Sequence, residues 1–263
     1  MNSPMTVRKL YDFLSNRIPK ALSCPWDNDG LMLSPDGEAP VGKVLIALDV
    51  TEDVADRAIA EGYDVILSHH PLIFHGMKAV DGDDTTSRKV IRLVRAGVAV
   101  MSFHTRLDTV EGGVNDTLAA RLGLSAVDAF GVNDNPAGAC MGRVGTLPSP
   151  MTVTDFARRL KDILGAPAVW VGDADRPVFR VAVLGGGGDS EVEAARRAGA
   201  DTYVTGELKY HQLCDAPYNG MNLMAAGHFH TEFPVCDVLA AWVREAAPDA
   251  AVTVHMSDRI AVV

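Results

Sequence analysis

Asp64-Val65-Ile66-Leu67-Ser68-His69-His70-Pro71 is the stretch that decides the fold class. A short apolar run, opened by an acid and closed by a proline, reads as a strand buried on both faces, the kind that fills parallel sheets. Its C-terminal end delivers two adjacent imidazoles, and open α/β folds place their ligands at that end. Polar clusters recur after later apolar runs: His104-Thr105-Arg106-Leu107-Asp108, and Gly227-His228-Phe229-His230-Thr231-Glu232.

The flanking sequence alternates in the same way. Val7, Leu10, Tyr11, Leu14 and Ile18 are spaced as one face of a helix over 6–18, and the Pro-, Gly- and Asp-rich segment 21–42 reads as loop. Strands are predicted over 43–49, 64–68 and 99–103, with helices over 53–61 and 87–95 between them. This β-α-β-α-β order calls for a mainly parallel sheet. A second series follows, with helices over 151–164, 190–198, 209–214 and 231–245, and strands over 180–184, 201–205, 221–226 and 251–255. The expected fold class is α/β: two interlocked lobes with largely parallel central sheets flanked by helices. The stretch 128–150, rich in Gly, Pro and Asn, reads as the crossing between them. Residues 1–127 plus 231–263 then form a first lobe carrying most of the candidate ligands, and residues 128–230 form a second.

Composition narrows the function classes. The chain has 263 residues and a net charge of −10, with no basic block. Nucleic-acid binding needs a positive face to displace counterions, so it is disfavoured. Apolar runs such as Val44-Leu45-Ile46-Ala47-Leu48 are far shorter than the roughly 20 residues of a membrane helix. The N-terminus lacks the apolar core of a signal peptide, so the expected location is cytoplasmic. Cys24, Cys140, Cys214 and Cys236 are scattered, which argues against both a thiolate zinc site and a disulfide framework.

Imidazoles and carboxylates at strand ends point instead to a metal held by nitrogen and oxygen. Two adjacent histidines rarely serve one ion, so two ions taking one each is the easier geometry. If a helix begins near Gly227, His228 and Glu232 lie one turn apart on one face. Asp108 follows His104 by four residues, in what reads as a loop ending at Gly112-Gly113. A site with two ions roughly 3.5–4 Å apart uses bridging groups of this kind. His230 points away from His228 if the segment is helical and shares its face if the segment is a strand; lone His211 and His255 have ordinary structural readings, while His75, after an apolar run, fits either reading. Gly185-Gly186-Gly187-Gly188 lacks the pattern of a dinucleotide or phosphate loop and reads as a tight turn.

At these residues the chain resembles the NIF-three-like dinuclear metal-centre proteins, often labelled GTP cyclohydrolase I type 2. The resemblance runs nearly end to end. It rests on Trp26-Asp27-Asn28-Asp29-Gly30-Leu31, on Leu67-Ser68-His69-His70-Pro71-Leu72-Ile73-Phe74, and on the His104–Asp108 segment with Gly112-Gly113-Val114-Asn115-Asp116. It continues in Thr205-Gly206-Glu207-Leu208-Lys209-Tyr210-His211 and in the Gly227–Glu232 segment. The resemblance implies two divalent metal ions (zinc, iron, manganese or nickel) held by His69, His70, Asp108, His228 and Glu232. It implies that His104 sits beside them, either behind the ligands or as a catalytic, proton-handling group, and it implies a toroidal homohexamer. It also implies the short form of the family, without an inserted domain. Arg106 replaces a usual asparagine, Asp29 a usual apolar residue, His230 a small residue and His75 a frequent lysine. Arg106 and His230 are expected to alter the charge of the cavity.

The function expected is a metal-dependent hydrolase that attacks a small-molecule substrate, nucleotides among the candidates, with a metal-bound water. Glu207, Lys209 and His211 are candidates for orienting that substrate. The competing expectation is a non-enzymatic metal-binding protein: a metallochaperone, store or regulatory scaffold. A nucleotide-binding dehydrogenase is disfavoured, since its glycine fingerprint is absent.

Overall fold

A computed structural model describes residues 4–263. The chain opens with α1 (Val7–Arg17), whose first turn is capped by Thr6 Oγ1 accepting from the Lys9 amide and whose Val7, Leu10 and Leu14 are buried. It continues through β1 (Gly30–Leu33), β2 (Lys43–Ala47), α2 (Glu52–Ala60), β3 (Val65–Ser68), α3 (Thr85–Arg95) and β4 (Ala99–Ser102). Strands β2, β3 and β4 are parallel neighbours, with Ile46 opposite Leu67 and Leu67 opposite Met101. The segment 21–42, read as loop, contains β1, an antiparallel strand on the outer side of β4. Leu45, Ile66 and Val100 from the sheet pack with Val54 and Leu93 from α2 and α3.

In the short helix α4 (Thr105–Thr109) the chain passes into a second compact unit, residues 108–235 plus 260–263. This unit contains α5 (Val114–Arg121), β5 (Ser125–Phe130), β6 (Gly142–Met151), α6 (Val153–Leu164), β7 (Trp170–Gly172) and β8 (Val178–Leu184). It continues with α7 (Val192–Arg197), β9 (Thr202–Thr205), α8 (Tyr210–Asn219), β10 (Asn222–Ala225) and α9 (His228–Glu232). Among the described residues its sheet has six strands in the order β5-β6-β8-β9-β10-β7. Only β8, β9 and β10 run parallel; β5, β6 and β7 pair antiparallel, so this sheet is mixed. Phe156 and Leu160 of α6 and Leu118 of α5 pack against Val181, Val183, Val204 and Met224.

From Cys236 the chain returns to the first unit, through most of α10 (Val235–Ala246) and β11 (Ala251–Val254). Strand β11 joins β2 in parallel, giving a five-stranded sheet β1-β4-β3-β2-β11 among the described residues. The helix expected over 231–245 is two helices, α9 and α10, broken at Phe233-Pro234. Proline lacks the amide hydrogen and disfavours a helical conformation in the residue before it. The units change at 107/108 and 235/236, not at 127/128 and 230/231. The glycine-rich stretch 128–150 lies inside the second sheet, where it forms the end of β5 and most of β6. His69 and His70 therefore belong to the first unit, while Asp108, His228 and Glu232 belong to the second.

No helix among the described residues is long and apolar enough to cross a membrane. Cys24 and Cys236 are buried, Cys140 is half-buried and Cys214 is exposed.

Candidate metal centre

In the first unit, three neighbouring parallel strands end at the candidate residues. β2 leads to Asp49, β3 to His69 and His70, and β4 to Phe103 and His104. The His70 amide still donates to Leu48 O at 2.9 Å, continuing the ladder one step past β3 before Pro71 ends it. Ser68 Oγ donates to His70 O at 2.8 Å, which fixes the turn that brings both rings to the same side. The His69 and His70 rings lie 4.8 Å apart, and His104 lies 5.2 Å from the first and 5.6 Å from the second. One ring nitrogen from each of the three falls within 4.8 Å of the others, as a metal site requires.

The chemistry of these nitrogens is set by what lies behind them. His69 Nδ1 is 2.9 Å from Phe103 O, a group that only accepts, so Nδ1 carries the hydrogen. His70 Nδ1 is 2.7 Å from Asp49 Oδ1 and His104 Nδ1 is 2.9 Å from Asp27 Oδ1. A neutral imidazole that donates through Nδ1 has its lone pair on Nε2. Metal-binding histidines are oriented in this way by carbonyls and carboxylates.

Asp27 is fully buried on its side chain and also accepts from the Thr105 amide at 3.0 Å and the Thr105 hydroxyl at 2.6 Å. Burial alone raises its pKa. The hydrogen bond and charge of His104, with the Thr105 donors, outweigh this and bring it down to about 2. Asp27 is therefore a permanent anion that fixes the His104 tautomer and the start of α4.

Asp29, two residues on, accepts from the His104 amide at 3.2 Å, from Ser23 Oγ at 3.0 Å and from Arg106 Nε at 3.0 Å, and it also pairs with Lys20. Arg106 is fully buried and donates through Nη1 to Ile18 O at 3.0 Å. The expectation that Arg106 alters the charge of the cavity is corrected here. The two departures at 29 and 106 are partners in one buried ion pair, and their charges cancel.

The second unit repeats the logic with a different donor set. Its parallel strands β8, β9 and β10 lead to Gly185-Gly186, to Gly206-Glu207 and to Gly227-His228. His228 and Glu232 sit one turn apart on α9, as the spacing predicts, with Nε2 and Oε2 3.2 Å apart. His228 Nδ1 is 3.0 Å from Glu207 Oε1, which supplies the orienting carboxylate. With Nδ1–H given to Glu207, Nε2 turns its lone pair toward an anionic oxygen. Two acceptors face one another so closely only when a cation or a proton lies between them.

Asp108 is buried in α4, which is helical where a loop was expected, and it offers an oxygen within 4.8 Å of one from Glu232. Asn115 holds this arrangement: its Nδ2 donates to Asp108 O at 3.1 Å and its Oδ1 accepts from the Gly185 amide at 2.8 Å. The tetraglycine run is a tight turn, as expected, and it has a specific duty. Gly186 has φ +67°, and a Cβ there would collide with Glu232 Oε1 and come within 3.0 Å of His228 Nε2. Its amide donates to Thr231 Oγ1 at 3.0 Å. The turn is a floor that leaves room for the carboxylate and the imidazole.

His230 lies on the helix with its Nδ1 3.1 Å from where a Gly227 Cβ would stand, folded back toward its own N-terminus. It stands apart from the grouped donors. Lys209 pairs with Asp189 at 2.9 Å. Asp27, Asp49, Glu207, Asn115 and Gly186 escaped the sequence reading as orienting groups. The signal for most of them was present, since each lies within or beside a motif: Asp27 in 26–31, Asn115 in 112–116 and Glu207 in 205–211.

The donors fit divalent ions. They are imidazole nitrogens and carboxylate oxygens, their outer atoms are held in place, and a glycine keeps the space beside two of them open.

Known proteins share the sequence and the fold of this chain. A curated relative from Clostridium perfringens, named GTP cyclohydrolase 1 type 2 homolog, is 33% identical over 242 residues, covering 92% of each chain. Protein NIF3 homolog from Schizosaccharomyces pombe is 32% identical over 273 residues, covering 98% of this chain and 96% of its own. A crystal structure of a Bacillus cereus protein related to NIF3 superimposes with a TM-score of 0.88 at 25% identity, over the full length of both chains. The family profile matches residues 5–261, a span that includes every donor described above, and on that match the chain belongs to the Duf34/NIF3 (NGG1p interacting factor 3) family.

Proposed function

We propose that the chain is a divalent-metal-dependent hydrolase holding two ions through His69, His70, Asp108, His228 and Glu232. The observation that carries this reading is the uniform second layer. The Nδ1 atoms of His69, His70, His104 and His228 are all committed to a carbonyl or carboxylate, so each Nε2 presents a lone pair. Structural histidines have no need of so consistent an arrangement. Bound divalent ions supply Lewis acidity and lower the pKa of water.

The chain's own residues do the rest. Asp49 and Glu207 hold His70 and His228 in a single tautomer. Gly186 keeps side-chain bulk away from Glu232. His104, backed by the anionic Asp27, is placed to take up a proton at Nε2, because the imidazolium would be stabilised by the carboxylate at Nδ1. The names of the relatives make GTP the first substrate to try, and the same reading carries a toroidal homohexamer.

The test is elemental analysis of the purified protein, followed by assay of the metal-loaded form against GTP, other nucleotides and phosphoesters. Metal-dependent turnover that disappears in His69→Ala and Glu232→Ala supports the hydrolase. Tight metal binding without turnover on any substrate rejects it in favour of a non-enzymatic metal-binding protein. Light scattering of the same preparation gives the oligomeric state.

A further inference from the structure

Trp26 and Phe74 are the large aromatic side chains beside His104, and both are exposed: 59% of Trp26 and 40% of Phe74. Their backbones are not loose. The Asp27 amide on one side of the indole closes a turn onto Cys24 O at 3.0 Å, and the Asp27 carboxylate is held by His104 and Thr105. Asn28 Nδ2 donates to Ile73 O at 2.5 Å, tying the loop that carries Trp26 to the loop that carries Phe74. Leu72 is buried and Ile73 packs on the core, so Phe74 springs from an anchored stem. Exposing two large rings forgoes the stabilisation that burying them would bring.

No two of these rings stack face to face, and Phe74 also meets the His75 ring at 4.8 Å and 65°. Trp26 and Phe74 meet at 6.2 Å and 67°, Trp26 and His104 at 6.2 Å and 73°, and Phe74 and His104 at 5.9 Å and 79°. Three steeply inclined rings make a corner, and none lies flat on another. A flat guest can lie against one wall while its edge meets the polar groups around His104. A hydrocarbon ring would match the walls and waste that edge, whereas a nitrogen heterocycle matches both.

We infer that Trp26 and Phe74 form the seat for a planar nitrogen heterocycle carried by the small-molecule substrate, and that they determine its specificity. The inference rests on the reading of the His69–His70–His104 cluster as the reaction site. It adds the class of group that docks beside it, held by stacking rather than by metal.

The test uses the full-length metal-loaded protein. Isothermal calorimetry measures binding of adenosine and guanosine, with ribose 5-phosphate as the control that has no ring system. The nucleosides should bind and the control should bind far more weakly. Trp26→Ala and Phe74→Ala should each weaken nucleoside binding about 5- to 150-fold, the range that losing a base–aromatic stack spans. Trp26→Phe should keep most of the affinity, and metal content should be unchanged in all three variants.

Nucleosides that bind no better than ribose 5-phosphate to protein with its metals in place overturn the seat and leave the metal reading standing. Nucleoside binding that depends on Trp26 in a protein that takes up no metal supports the seat and removes the metal reading. A Trp26→Ala protein that sediments as a smaller species with unaltered nucleoside affinity also overturns the seat, since the indole would then serve contact between copies.

Discussion

Arg106 and Asp29 form an ion pair, Nε to Oδ2 3.0 Å, with both side chains wholly shielded from water. Two charges leave water only when their geometry and further hydrogen bonds compensate for lost hydration. Here Ile18 O takes one guanidinium nitrogen, and Ser23 Oγ and the His104 amide take the carboxylate. The pair therefore couples α1, the loop before β1 and the start of α4.

Removing one partner strands the other charge. Asp29→Ala and Arg106→Ala should each lower stability by about 3–5 kcal/mol. The double variant Asp29→Ala/Arg106→Ala should cost less than the sum of the two by about 1–3 kcal/mol. Urea unfolding of the four proteins measures the coupling, and strictly additive losses would show that the pair does not act as a unit.

Gly186→Ala should weaken divalent-metal affinity by about 10–100-fold, the range expected when support for a ligand is lost. The new methyl would strike Glu232 Oε1, and the φ of +67° already disfavours any side chain. Gly187→Ala is the control, because a Cβ there meets nothing within 4 Å. Competition titration against a chromophoric chelator separates them; equal affinities would contradict the role given to the turn.

Asp49→Ala and Glu207→Ala remove the carboxylates behind His70 and His228. Each should reduce metal affinity by about 10–100-fold while leaving the fold intact. Far-ultraviolet circular dichroism checks the fold and the same titration reads the affinity. Unchanged affinity in both would mean that the imidazoles need no orienting partner.

Acid should expose the contribution of Asp27. Its pKa is brought down to about 2 from an ordinary 3.8. A depressed carboxylate stabilises the folded chain above its unfolded pKa, and that stabilisation is lost as pH falls through the folded value. Metal-free wild type should therefore lose, relative to Asp27→Asn, about 2 kcal/mol between about pH 4 and pH 2. Parallel unfolding curves for the two proteins across that window would contradict the assignment.

The parallel strands β3, β4, β9 and β10 were legible in the sequence because each is a short run buried on both faces. Strand β3 keeps all four residues buried, as do β4, β9 and β10. The antiparallel strands were not. β5 is exposed at five of its six residues, and β6 carries glycine and proline, so neither reads as a continuous apolar run. They are ordered by their neighbours. The same division applies to the site. His69, His70, Asp108, His228 and Glu232 stand out as residue types at strand ends. Asn115 and Gly186 act through a hydrogen bond or through the absence of a side chain, and nothing in their local sequence states a partner 70 positions away for the first or 45 for the second. Glu207 stood out only as a candidate for orienting substrate, and Asp49 as an ordinary acid at a strand end.

The first sheet is built from both ends of the chain, β1 to β4 from its beginning and β11 from residues 251–254. On a ribosome, synthesis proceeds from the N-terminus and domains form as they emerge. The whole continuous body of the second unit, residues 108–235, leaves before the strand that covers β2. For that interval β2 is an open edge with unpaired amides and carbonyls, the arrangement that invites pairing with a foreign strand. Translation that halts after residue 235 would release a chain whose second unit has its continuous body but not residues 260–263, and whose first sheet still lacks its last strand. Quality control in the cell would meet an aggregation-prone surface there rather than at the metal site.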